Sequence, residues 1–373
     1  MFSGGLAPHI RLRELAQRYG PVMSLQLGEV ANVIISSPEA AKLVLKTHDL
    51  VFATRPSLLV GSIIFYGCKD IGFAPYGDYW RQMRKICTVE LLSARRVSSF
   101  RSIREQEVST LVSRIRVAAT ACGEEGVDLS DMLFSMTSNI TYSQVLGCIE
   151  TEDIVDILLS IQRTEDLPFP LTTDGIKAVI LDVFTGGMDT SASTTEWTMS
   201  QLVQNPNVLR LAQEEVRRVF GDKGNVSEDR LHELTYLDAV IKESLLPRET
   251  RETVEINGFV IPAKTRVLVN VWAIGRDPSY WTDPEKFYPE RFLNSSIDYK
   301  GAHFEYIPFG AGRRICPGML FGLANVQLGL ANLLFHFDWK IPIGLQHLDL
   351  TKQFGLSISS KQLLRLIPIA ASN

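Results

Sequence analysis

The chain has 373 residues, 45% of them hydrophobic and 21% charged, with a formal net charge of −4. That length and apolar content allow a large buried core, and length alone permits more than one domain. The charge balance gives no reason to expect a nucleic-acid partner. Five scattered cysteines without a CxxC pair argue against a disulfide framework and suit a reducing compartment. Six dispersed histidines, none paired at metal-ligand spacing, speak against a zinc site. No run of 18 or more apolar residues is present, so no membrane-spanning helix is expected. The opening MFSGGLAPHIRLRELAQRYG is amphipathic and basic, unlike a signal peptide.

In chain order, Arg11 to Tyr19 reads as a short helix stopped by Gly20-Pro21. Val22 to Ser36 alternates as two strands about a turn at Gly28-Glu29. Ser37-Pro38-Glu39 opens a helix with a capping hydroxyl, a first-turn proline and an early acid. Phe52 to Tyr79 is rich in Gly, Pro and aromatics without a clear period and reads as a long loop, a kind of segment that is usually functional or disordered. Next comes a helix, GDYWRQMRKICTVELLS, with Trp80 and Arg84 at i, i+4 on one face. Ser98 to Ala118 and Leu129 to Val145 are two further helices.

Thr172 to Gln204 is the longest helical pattern, bounded by Thr172-Thr173-Asp174 and by Asn205-Pro206. In its middle stands FTGGMDTSAS. Two adjacent helical glycines, Gly186 and Gly187, cost roughly 2 kcal/mol together relative to alanine. Close approach of a ligand would justify them, and so would tight helix packing. Asp189-Thr190 adds an acid–alcohol pair. Ala212 to Phe220 is a charged helix ended by Gly221, Ser227 with Asp229 opens another, and Leu237 to Leu246 is a third. Val254 to Val271 is strand-like, with a hairpin signal at Asn257-Gly258. Ile341 to Pro368 reads as short strands and turns that end an antiparallel sheet.

The most specific stretch is PFGAGRRICPG, Pro308 to Gly318, where a lone cysteine separates a glycine-rich basic loop from an apolar helical run. Gly310 and Gly312 permit a tight turn and close approach to a flat ligand. Arg313 or Arg314 can neutralise a carboxylate with a planar fork. Pro317 and Gly318 suit the first turn of the next helix, which sets Cys316 near a helix N-terminus that favours thiolate over thiol. The pattern F-x-x-G-x-R-x-C-x-G fixes Phe309, Gly312, Arg314, Cys316 and Gly318. Its chance occurrence in a chain this long is on the order of 10⁻⁴ or less.

This motif resembles the haem-binding signature of the cytochrome P-450 family, and the resemblance runs in order from about Arg11 to Pro368. It implies a mainly α fold with small β-sheets (α+β), the family's helical prism, as one domain over 1–373. It makes Cys316 the axial ligand of haem b iron, with Phe309, Gly312, Arg314 and Gly318 around it. Trp80 and Arg84 match the family helix that contacts a haem propionate, and Arg248 matches a later arginine that approaches one. Gly186, Gly187, Asp189 and Thr190 match the oxygen-binding groove, where the acid and alcohol deliver protons to dioxygen. Glu243 matches the family's E-x-x-R glutamate, whose partner is Arg291 of the P-E-R-F element. The implied activity is a monooxygenase that inserts one atom of dioxygen into a small hydrophobic substrate. Wording such as YGDYWRQMRKIC resembles the plant microsomal branch that oxidises terpenoids and other specialised metabolites. Electrons are expected from NADPH through a flavoprotein reductase, at the cytosolic face of the endoplasmic reticulum membrane. That membrane association is implied by the family alone, since the chain shows no N-terminal anchor.

The sequence departs from the family in two places. SQVLGC runs into IETEDIVDILLSIQ near 148–151, where the family has a long helical region over the substrate pocket. After Glu243 the position three residues on is Leu246 rather than arginine, and Arg248 at i+5 would sit about 140° around the helix. Those gaps favour an alternative reading: a haem-poor, catalytically inactive product of a partial or mis-spliced gene.

Overall fold

Local chemistry starts several elements as the sequence predicts. The Ser37 side chain accepts from the Ala40 amide at 3.3 Å and caps the Pro38–Lys42 helix. Gly28, at φ +60°, turns Val22–Leu27 back on Val30–Ile35 as an antiparallel pair. In this computed structural model the described residues are 7–147, 152–164, 167–222, 224–242, 254–256, 259–262, 265–345, 347–348, 352–354, 358–360 and 362–371. Glu243, Arg248, the Asn257-Gly258 turn and the 148–151 junction lie outside them. The chain is mostly helical with small sheets, as expected, and its contacts divide it into two units.

The first unit comprises Met1–Arg84, Lys242–Tyr288 and Asn294–Pro317. Its sheet adds Arg266–Val269 in parallel to Val30–Ile35, with Ile34 opposite Leu268. One sheet face supplies Val33, Ile35, Val267 and Val269 to a core that also holds Ala41, Val44, Leu45, Phe304, Ile307 and Ala311. Burying a side chain of that size stabilises by about 1.5–3 kcal/mol. The consequence for function is positional: the residues just before Cys316 run through this core, so the thiolate loop is anchored at its start.

Phe52 to Tyr79 is less open than the sequence suggests. A short helix, Leu59–Ile64, lies within it, and the rest is stitched by side chains to backbone. Phe73 N–H donates to Asp70 Oδ2 at 2.7 Å, Tyr76 N–H to Thr54 Oγ1 at 3.2 Å, and Tyr79 O–H to the Lys69 carbonyl at 2.7 Å. Such bonds let a segment without regular secondary structure satisfy its backbone.

The second unit comprises Lys85–Ile241, Pro289–Leu293 and Gly318–Asn373. Its centre is the Met319–His336 helix, packed by Arg101–Ala119, Asp189–Gln204 and Pro206–Phe220. Among the described residues, only this helix is long and apolar enough to cross a membrane, with mean hydropathy 1.3. It is 67% buried within the chain, which marks it as a core helix. Arg365–Ala370 pairs antiparallel with Phe337–Lys340 and with Val127–Asp128, the sheet expected near the C-terminus.

The single helix expected over Thr172 to Gln204 is two. Thr173–Gly187 and Asp189–Gln204 are separated at Met188, whose φ of −80° and ψ of −68° stay within the right-handed helical region but at its edge, so the break is a bend of one residue. The break follows directly on the two glycines, the weakest helix formers in the stretch.

His336 closes the central helix with its ring edge-on to Phe335 at 4.9 Å and its Nδ1 3.1 Å from Arg116 Nη2. A helix C-terminus favours a charged histidine by about 0.3–1 kcal/mol. Burial, aided by the Arg116 charge, outweighs that and pulls the His336 pKa down from 6.5 to about 4. The folded state therefore holds His336 neutral while the unfolded state takes up a proton below its own pKa. This contribution to stability is complete above about pH 6.5 and is lost as pH falls towards about 4. His336→Phe keeps the ring packing and removes the titration. Its melting temperature is expected to fall less than that of the parent between pH 7 and pH 4.5, as read by calorimetry across that range.

Candidate functional site

In the first unit the thiolate loop is a set of tight turns. Gly310 N–H donates to the Ile307 carbonyl at 3.0 Å, Ile315 N–H to Gly312 at 3.0 Å, and Cys316 N–H to Phe309 at 2.9 Å. Gly310 and Gly312 sit at φ +71° and +64°, the left-handed region that glycine enters without a Cβ penalty. Gly312 is doubly required. A Cβ there would fall inside contact distance of the Leu45 carbonyl oxygen and lie 3.1 Å from the Asp49 carboxylate. Asp49, which no motif in the sequence singled out, accepts the Arg313 N–H at 3.1 Å and pairs with Arg313 Nε at 3.4 Å. Cys316 is half-buried and forms no disulfide.

Trp80 and Arg84 occupy one face of the Asp78–Ile86 helix, as their spacing implied. Trp80 is buried, with Nε1–H donating to the Ile71 carbonyl at 3.0 Å. Arg84 Nη2 donates to the Ile315 carbonyl, the residue next to Cys316. The Arg84 Cζ lies 6.0 Å from the Trp80 ring centre. Arg314 comes closer, at 4.1 Å, and its donors meet the carbonyls of Ala53, Ile71 and Ala74. This structure thus shows Arg314 on backbone oxygens rather than open to a carboxylate. Phe309 stands edge-on to Tyr299 at 6.0 Å.

In the second unit the two glycines separate in role. A Cβ on Gly187 would meet Phe321 at 3.1 Å and the Thr141 hydroxyl at 3.2 Å, so Gly187 serves helix packing. Gly186 is exposed, and a Cβ on it would find nothing within 4 Å. Close approach of a ligand is open to Gly186 alone of the pair. Thr190 is exposed and its Oγ1–H donates to the Gly186 carbonyl at 2.6 Å. Asp189 begins the second helix, half-buried. Glu196, two turns on, was not marked by any motif. Burial, then the charges of Asp128 and Asp189, raise its pKa above the usual carboxylate range against a lowering bond from Ser130.

Gly318 precedes the first residue of the Met319–His336 helix, so Pro317 stands before that helix rather than in its first turn. Arg291 lies in the Pro289–Phe292 turn, beside a Glu290 carboxylate that accepts from Tyr236 O–H at 2.7 Å. Its expected partner Glu243, like Arg248, is outside the described residues.

The family model for cytochrome P-450 matches residues 2–153 and 149–365. Premnaspirodiene oxygenase of Hyoscyamus muticus is 44% identical, covering 98% of this chain and 88% of the relative. Tabersonine 6,7-epoxidase isoform 1 of Catharanthus roseus is 43% identical over the same shares. The first of these alignments runs over 449 positions against 98% of 373 residues, about 366, so about 80 positions have no residue of this chain. A zebra fish cytochrome P-450 solved with abiraterone superposes with a TM-score of 0.86 at 23% identity, covering 99% of this chain and all of that one.

Proposed function

The chain belongs to the cytochrome P-450 family, whose members are haem monooxygenases, and we propose that it inserts one atom of dioxygen into a small hydrophobic plant metabolite. The observation that carries this is Cys316: a thiol outside any disulfide, half-buried, in a loop whose glycines and N–H bonds hold its backbone still. The residues present fit a thiolate-ligated group bearing carboxylates: Arg84, on its helix, donates to the carbonyl next to Cys316, and Arg313 is an exposed guanidinium of the thiolate loop itself, with Arg314 behind it on backbone oxygens. When bound, haem supplies the oxygen-activating redox chemistry, and thiolate ligation favours O–O cleavage.

The rest is done by side chains. Cys316 would hold the iron, and the turn at Phe309 orients its backbone. Trp80 and Arg84 would steady the carboxylate edge, Arg84 already bracing Ile315. In the second unit Thr190 carries an exposed hydroxyl proton, parked on the Gly186 carbonyl, and Asp189 beside it can replace that proton from solvent. Gly186 would line that groove with Gly187 packed behind it; on family grounds Glu243 and Arg291 are structural residues and Arg248 a propionate-side arginine. NADPH with a flavoprotein reductase as electron source, and the cytosolic face of the endoplasmic reticulum, are part of this reading on family grounds. So is a single domain with an internal segment missing near 148–151, where the two stretches of the family match meet.

That missing segment also favours a second reading, a haem-poor inactive product. Carbon monoxide decides between the two. The full chain, expressed with haem precursor and reduced, is expected to give the red-shifted Soret band of a thiolate–CO complex. An unshifted band, or none, would sink the monooxygenase reading in favour of the second.

A further inference from the structure

Arg314 is 7% exposed, and a buried guanidinium is tolerated only when its donors are met. Here Nε donates to the Ala53 carbonyl at 2.6 Å, Nη1 to Ile71 at 3.0 Å and Nη2 to Ala74 at 2.5 Å. The Arg314 Cζ lies 4.1 Å from the Trp80 ring centre, and Trp80 Nε1–H shares the Ile71 carbonyl at 3.0 Å. Ala53 and Ala74 are fully buried and belong, with Tyr76 and Trp80, to one small core cluster. These three oxygens come from the two ends of one loop, so a single planar fork draws the loop closed onto the residue two before Cys316. Lysine has the charge but not the spread of donors.

We propose that Arg314 is a positioning residue that latches the 53–74 loop to the thiolate loop, and that a cofactor carboxylate reaching this cation competes with those carbonyls for its donors, so that haem loading loosens the loop. The latch stands on the bonds just described; the exchange also rests on the haem reading above.

Hydrogen exchange of the haem-free full chain tests the latch. The reporters are the loop amides of Cys68, Lys69, Phe73 and Tyr76, which donate to Gly61, Phe65, Asp70 and Thr54. In Arg314→Lys their exchange is expected to rise about tenfold or more, the loss of charge-assisted bonds to carbonyls. The Val22–Leu27 and Val30–Ile35 strands should stay protected, which shows that the unit remains folded. Arg314→Met, which leaves no unpaired buried charge, takes its place if the lysine variant loses the strands as well. Loop exchange equal to the parent's, with the strands protected, would overturn the latch. Haem is then added to the parent chain. Faster loop exchange on loading supports the exchange of partners, and unchanged or slower exchange overturns it. A chain that takes up no haem overturns that exchange together with the haem reading, while the latch is decided by the haem-free comparison.

Discussion

Cys316→Ser is expected to abolish the red-shifted thiolate–CO band and to bring turnover to background, while the fold holds. The substitution is nearly isosteric, at a half-buried position whose backbone bond to Phe309 does not involve the side chain. A stability change within about 1 kcal/mol is therefore expected. The chemistry changes far more. A thiol with pKa near 8.5 can be held as thiolate beside cations, whereas a serine hydroxyl stays protonated and is a poor donor to iron. Cys122→Ser serves as control, because its Sγ donates to the nearby Ala119 and Gly123 carbonyls and no motif places it at the iron. Visible spectra of the reduced CO complexes make the comparison. A parent-like band in Cys316→Ser would remove Cys316 from the iron.

Gly312→Ala is expected to destabilise the protein by about 3 kcal/mol or more, a large part of the usual 5–15 kcal/mol of a domain. Two terms add. A non-glycine residue at φ +64° stores roughly 1–3 kcal/mol, and forcing a methyl into a packed site costs typically 1–3 kcal/mol. Relief is hard to find, because the obstructing atom is the Leu45 backbone oxygen rather than a movable side chain. Gly28→Ala isolates the first term: φ is +60°, but nothing lies within 4 Å of the new Cβ. Urea unfolding of both variants should separate them by about 1–3 kcal/mol. Equal losses would mean that the close approach to Leu45 is not what requires the glycine.

Glycine 312 also shows where a motif reading stops. Its place in the signature suggested close approach to a flat ligand, and the structure supplies a different neighbour, a carbonyl from a segment more than 260 residues earlier in the chain. The same holds for the paired glycines. Nothing in FTGGMDTSAS distinguishes Gly186 from Gly187. The contact with Thr141 and Phe321 does, by turning one towards packing and leaving the other open.

What the sequence determined by itself was local or compositional. The Ser37 cap, the Gly28 turn, the helix start at Thr172 and the shared face of Trp80 and Arg84 each depend on residues at most four apart, so their physics is written in adjacent letters. The spacing of PFGAGRRICPG belongs here too, and it sufficed to single out Cys316. Tertiary structure decided what those residues meet. It set Asp49 against Arg313, three loop carbonyls around Arg314, and a neutral His336 beside Arg116. Each of these partnerships spans more than 200 residues of chain, and no periodicity encodes a pairing at that separation. Burial and backbone geometry choose the partner only after the local elements have packed.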